Sequence, residues 1–204
     1  MSRHGTGDPQ GRVVGVAKRI PERPTPPPLR TLDPWNGPAG HVDRLCWSVW
    51  RWKFSGGGAD VFTCDPAGNL IDDALPQATG IGHAAYLAAM CDRGGIGIVA
   101  GSPPGVVGVT LYGCIDERDR ISDAGRRLLD AIPSYAEISP SERGITIIAT
   151  IARPDAWVPF RRDGFRAYRC GEVIPVTGWH VPGTPGDAVL ADVDPVRLAE
   201  EVLR

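Results

Sequence analysis

The run "GIGIVAGSPPGVVGVTLYG", residues 95–113, limits the fold more than any other stretch of this chain. Two short apolar segments, rich in β-branched residues and interrupted by glycine, flank a Ser-Pro-Pro-Gly turn, and such runs read as strands rather than helices. They are expected to lie side by side as antiparallel neighbours. The same pattern recurs along the chain. "LCWSVWRWKF" has the aromatic and β-branched density of a buried strand, and "GGGADVF" after it reads as a hairpin into a second. "YAEIS" and "GITIIATIA" form another strand pair, and "FRAYRCGEVIPVTGWHV" resembles a further hairpin. Helical spacing is confined to three places. "IGHAAYLAAMCDR" is a helix ended by Gly94 and Gly95, with Ala84, Leu87, Ala88 and Cys91 along one face. "DAGRRLLDAI" follows an N-cap at Ser122 and turns Leu128, Leu129 and Ile132 inward, and "DPVRLAEEVLR" closes the chain with proline in its first turn. Helices mixed irregularly with hairpins predict an α+β fold with mixed or antiparallel sheets flanked by helices.

At 204 residues, 42% hydrophobic and 23% charged, the chain can bury one substantial core. Its net charge of -2 supplies no global attraction to nucleic acid, so any such contact has to come from a local patch. The cysteines Cys46, Cys64, Cys91, Cys114 and Cys170 contain no CxxC pair, and His4, His41, His83 and His180 are scattered. Zinc needs clustered thiolates or imidazoles, so free thiols, no metal and no cofactor are expected. No apolar run approaches the ~20 residues that cross a bilayer. The start, "MSRHGTGDPQGR", lacks the apolar core of a signal peptide. A soluble, cytoplasmic protein without membrane contact is the expectation.

Eight of the twenty prolines fall in the first forty residues, densest in "PERPTPPPLRTLDPWNGPAG". That composition favours extended, weakly packed chain, so residues 1–43 read as a flexible arm and 44–204 as the folded domain. The arm could also be a tethered segment of the kind that aromatic grooves recognise.

Between two strands stands "SPSERG", residues 139–144. Ser139, Ser141, Arg143 and the backbone of Gly144 bring hydroxyls, a guanidinium and amide donors into one turn, the parts of a phosphate cradle. Downstream, "FRRDGFRAYR" places Arg161, Arg162, Arg166 and Arg169 close together. On one strand face these would form a basic surface able to grip a nucleic-acid backbone; the alternative is a solvated edge whose Arg stems cover apolar surface.

The succession "WSVWRWKF", "GIGIVAG", "GVTLYGC", "SYAEISPSERGITI" and "AYRCGEVIPVTGWHV" resembles the primase-polymerase domain of phage and plasmid replication proteins, in the archaeo-eukaryotic primase superfamily, over about residues 45–185. The resemblance implies two aspartates at i and i+2 of the strand occupied here by "GVTLYG". That spacing presents two carboxylates on one face for a pair of divalent ions. Here those positions are Thr110 and Tyr112, neither of which supplies the anionic oxygen that Mg²⁺ prefers. The third acidic position falls at Arg166 or Arg169, the hairpin histidine at Thr146, and an N-terminal lysine near Asp60. Glu142 stands where the family usually has glycine.

The implied function is a catalytically degenerate replication accessory. It would bind single-stranded or primed DNA, nucleotide phosphates, or a replicative helicase or primase. One alternative is an active primase-polymerase using Mg²⁺ or Mn²⁺ on Asp116, Asp119, Glu137 or a partner's carboxylate. A second is a protein-interaction regulator of a host or phage replisome. Against these site roles, Glu137 reads as a solvated glutamate before a hairpin and Cys114 as a core thiol, while the resemblance implies that Asp116, Glu117 and Asp119 are loop acids and that Tyr112 fills the volume that ions would take.

Overall fold

The computed structural model describes residues 46–204 except 56, 57, 66, 68 and 91–93. The arm expected over 1–43 lies outside the described residues. The chain runs β1 (Trp47–Ser55), β2 (Gly58–Cys64), α1 (Ile81–Met90), β3 (Gly94–Val99), β4 (Val106–Tyr112), α2 (Asp123–Ala131), β5 (Tyr135–Ile138), β6 (Gly144–Thr150), β7 (Phe160–Arg162), β8 (Phe165–Ala167), β9 (Val173–Pro175) and α3 (Pro195–Val202). A four-stranded sheet has the order β2-β1-β3-β9, and a five-stranded sheet the order β5-β6-β4-β8-β7. Every pairing within them is antiparallel. The fold is α+β.

Strand alternation explains how the layers stack, because residues i and i+2 share a face. In the five-stranded sheet, Val107, Val109, Leu111, Ile145 and Ile147 turn to one side and pack with Leu128 of α2, Ile132 just after it, and Leu198 and Val202 of α3. The opposite side carries Val106, Ile148, Tyr135 and Tyr168, which join Trp47, Val49, Ile96, Ile98 and Ile174 of the four-stranded sheet in a second core roofed by α1. The two sheets come close here: a Cβ on Gly108 would sit 2.8 Å from the Ile174 side chain. The outer face of the four-stranded sheet packs Trp50, Trp52, Val61 and Val173 around Ala74 of the connection after β2.

Helix ends follow their local chemistry. Ser122 Oγ accepts from the Gly125 amide at 3.2 Å and starts α2. Asp194 caps the Val196 amide at 2.9 Å, with Pro195 following it, where a missing N–H is harmless. Leu128 and Ile132 are buried as expected, while Leu129 is half-buried.

Three sequence expectations are corrected. Gly94 and Gly95 open β3 rather than ending α1; a Cβ on Gly95 would run into the Trp50 indole at 2.7 Å. Strands β3 and β4 are not neighbours: β3 lies between β1 and β9, β4 between β6 and β8, so the Ser-Pro-Pro-Gly turn passes the chain from one sheet to the other. "FRAYRCGEVIPVTGWHV" is likewise not a hairpin, since β8 joins the five-stranded sheet and β9 the four-stranded one. The hairpin in this region is β7–β8, turned by Asp163 and Gly164, both at positive φ.

Candidate functional site

A single row of residues crosses the five-stranded sheet on the face turned toward the other sheet. Glu137 lies opposite Thr146, Thr146 opposite Thr110, Thr110 opposite Arg166, and Arg166 opposite Arg161. Residues directly opposite in an antiparallel ladder share a face, so this register brings Thr110, Thr146 and Arg166, three positions to which the resemblance drew attention, side by side. Of Arg166 and Arg169, Arg166 lies in this row, and Arg169 lies past the end of β8.

At the centre Thr110 and Thr146 are fully buried, their hydroxyls 2.9 Å apart, and the Thr110 hydroxyl is also 3.0 Å from the Tyr168 phenol. These neutral groups satisfy one another. Beside them the Arg166 side chain is only 11% exposed. Its Nη1 donates to the Val61 carbonyl at 3.1 Å, its guanidinium stacks 4.5 Å over the Tyr168 ring, and Nη2 pairs with Glu172 at 3.3 Å. Arg166 therefore links the two sheets, and its cationic group is already engaged. Tyr112 stands half-buried at the end of β4 opposite Gly144, with its amide bonded to the Gly164 carbonyl at 2.8 Å.

At the other end of the row Glu137 departs from expectation, because it is completely buried rather than solvated. Its Oε1 accepts from the Tyr135 phenol at 2.6 Å, and its Oε2 from the Thr177 amide at 2.6 Å and the Thr177 hydroxyl at 3.0 Å. Burial pushes the Glu137 carboxyl above its ordinary pKa against the opposing pull of these donors. Burial, then the neighbouring Glu137, also raises the Tyr135 phenol. The sequence carried a signal for this network: Tyr135 two positions before Glu137 on the same strand face, and the threonine of "VTGWH" that follows β9.

The "SPSERG" hairpin is closed largely on itself. Ser139 is buried, its amide bonds to the Gly144 carbonyl at 2.8 Å, and its Oγ lies 2.9 Å from that of Ser141. A Cβ on Gly144 would stand 2.6 Å from the Leu111 carbonyl, so β6 and β4 meet here at glycine distance. Arg143 projects outward to Glu117 at 3.6 Å, an exposed and weak pair. The serine hydroxyls thus serve the turn, and Arg143 is the member of the expected cradle that faces solvent. Glu142 occupies the left-handed region at φ 58, which accounts for glycine being the usual residue at such a turn position.

The four downstream arginines do not share one face. Arg161 and Arg166 lie on the side of the row, whereas Arg162 alternates to the opposite side and bonds Asp163 at 3.0 Å. Arg169 donates to the Asp72 carbonyl and so ties the connection after β2 to the turn before β9. Arg161 and Arg162 are exposed.

The loop acids are also placed apart. Asp116 accepts from the Arg118 and Arg120 amides and pairs with the Arg120 guanidinium at 2.7 Å. These hydrogen bonds, the Arg120 amide first, hold its carboxyl down at about 2. Glu117 and Asp119 are exposed on the same loop, and the backbone of Asp60 lies opposite that of Lys53 in the β1–β2 ladder. Among the described residues no group of three His, Cys, Asp or Glu converges as a metal ion would require. Cys114 is a core thiol, as expected: its Sγ donates to the Leu111 carbonyl at 3.2 Å, and burial pushes it up to about 11. No helix among the described residues is long and apolar enough to cross a membrane. No family model matches the chain, and no curated protein matches it.

Proposed function

We propose that this chain is a primase-polymerase-like domain that no longer performs metal-dependent nucleotidyl transfer and serves the replication of a phage or plasmid by holding single-stranded or primed DNA through its phosphates. The observation that carries this reading is the row Thr146, Thr110, Arg166: the positions at which the resembling family keeps a histidine and acids sit in register on one sheet face, filled by two mutually bonded hydroxyls and a guanidinium. Two divalent ions need anionic oxygen ligands, and a cation at the third position repels them.

The groups proposed to meet DNA are Arg143 on the hairpin and, on the two faces of the edge strand β7, Arg161 and Arg162. The start of β6 and the β7–β8 turn lie at the same end of the sheet, on either side of Tyr112. From β6 to β7 is three strand spacings, ~15 Å, or about four nucleotides at the ~3.4 Å rise of a stacked strand. Arg143 and Arg162 are held by exposed pairs with Glu117 and Asp163, which are worth little and exchange readily for phosphate oxygens.

Gel-shift titration with single-stranded and primed DNA at low and high salt tests the proposal. Binding at low salt that weakens as salt rises supports it, and absence of binding at low salt overturns it. Primer extension with labelled nucleotides and Mg²⁺ or Mn²⁺ tests the inert half of the proposal. Extension that Asp116→Ala abolishes would make the chain an enzyme.

A further inference from the structure

On the helix side of the five-stranded sheet, away from the Thr110 row, lies an open groove of about 440 Å³. The chain after β9 builds it. Ile138 donates its amide to the Trp179 carbonyl at 2.8 Å and Val181 donates to Ala136 at 2.9 Å, so residues 179–181 run along the edge of β5. His180 pairs with Glu137 in that bridge and stacks on Tyr135 on the inner face. Trp179 and Val181 therefore alternate to the outer face, beside Ile138. Ile115 and Ile121, joined by a bridge, make the facing wall, and Pro182 completes the lining. Trp179 is 45% exposed above a lining that is otherwise apolar except at its rim. Asp119 and Glu142 contribute carboxylates to its rim, and neither forms an ion pair with another described residue.

An exposed indole beside proline and isoleucines, rimmed by unneutralised acids, is the chemistry that recognises a proline-rich segment flanked by arginine. This chain carries such a segment outside the described residues: "PERPTPPPLR", residues 21–30. We infer that the groove under Trp179 holds this segment of the same chain. In the polyproline II helix, with three residues per turn, Pro24, Pro27 and Arg30 stand along one edge and Arg23, Pro26 and Leu29 along the next. The segment thus offers two adjacent apolar ridges, each carrying an arginine, to a groove with an apolar floor and two acids. Reach is ample, since residues 31–45 span up to about 50 Å when extended. Tethering supplies an effective concentration on the order of 1 mM, so a segment that binds in trans at about 0.1 mM fills the groove in about nine chains of ten.

Limited trypsinolysis of the full chain, followed by mass spectrometry, tests this. Cleavage after Arg30 is compared with cleavage after Lys18, which lies outside the segment. Docking makes the Arg30 site about tenfold slower than the same site in full-length Trp179→Ala, and also slower than in the Asp119→Asn, Glu142→Gln double variant, which keeps the indole and its packing. Lys18 cleavage stays the same in all three. Equal Arg30 rates in the three proteins overturn the inference, and so does acceleration of both sites together, which reports general loosening. Protection that disappears on dilution overturns docking within one chain.

Discussion

The Tyr135 phenol donates to Glu137 Oε1 across 2.6 Å, and the other carboxylate oxygen takes the amide and hydroxyl of Thr177 from the chain that leaves the four-stranded sheet. A fully buried carboxyl thereby bonds both sheets at once. Removal of a buried acceptor strands its donors, and each stranded donor costs about 1–3 kcal/mol.

This geometry sets a pH dependence. Burial raises the folded-state pKa of Glu137 above 4.5, so the folded chain binds the proton more tightly than the unfolded one. The resulting stabilisation is complete below pH 4.5 and is lost as pH rises through the folded pKa. Within that window wild type should lose up to about 1.4 kcal/mol per pH unit relative to Glu137→Gln, which has no proton to bind. Urea unfolding of the two proteins at a series of pH values reads this directly, and wild type gaining stability relative to Glu137→Gln as pH rises contradicts the assignment.

Thr110 is the hub of the central hydroxyl trio. Thr110→Val keeps its shape but leaves Thr146 and Tyr168 each short of a partner, with a loss of about 1–3 kcal/mol by denaturant titration. Converting Thr146 to valine as well should recover part of that loss, because fewer hydroxyls are then stranded; strictly additive losses would show that the two side chains act independently.

Glu142 adopts a backbone conformation that suits glycine. Glu142→Gly should stabilise the folded chain by about 0.5–1 kcal/mol, the relief of left-handed strain exceeding the added entropy of the unfolded glycine. An upward shift of the thermal midpoint checks this, and a fall would mean that the Glu142 side chain stabilises the hairpin by more than its backbone conformation costs.

DNA binding through β7 makes a quantitative demand. Each of Arg161→Ala and Arg162→Ala should weaken binding to all sequences alike and reduce the steepness of log affinity against log salt by about 0.7 for a single strand. Arg166→Ala should instead lower thermal stability, since that side chain bonds Val61 and Glu172 and covers Tyr168. A salt dependence untouched by either β7 variant would move the contact elsewhere.

Local structure was legible wherever a residue's own neighbours decide it. "WSVWRWKF" is β1, Ser122 caps the helix it precedes, Pro195 sits in the first turn of the last helix, and "YAEI" pairs with "GITIIAT" across the polar turn. Strand partnership was not legible, because periodicity tells which face of a strand is buried and not which strand lies beside it. That is why "GIGIVAG" and "VVGVTLYG" looked like neighbours although each belongs to a different sheet. The three-residue strands β7, β8 and β9 are too short to carry a period at all. Within the site, Thr110 and Thr146 were named only through the family resemblance, and the bond of Thr110 to Tyr168 depends on the chain's return after β8. Glu137 was misjudged for a related reason: between Ala136 and Ile138 it reads as the wet side of a strand, and only the second sheet makes that side dry.

The bond from the Thr177 amide to Glu137 makes one backbone proton a reporter for the whole seam between the sheets. That proton can swap with deuterium only when the halves part or the carboxylate withdraws, so its exchange rate measures how often the molecule breathes along this line. Glu137 and Arg166 thus fasten the seam toward the two ends of one row, and slow exchange at the Thr177 amide would report the Glu137 end.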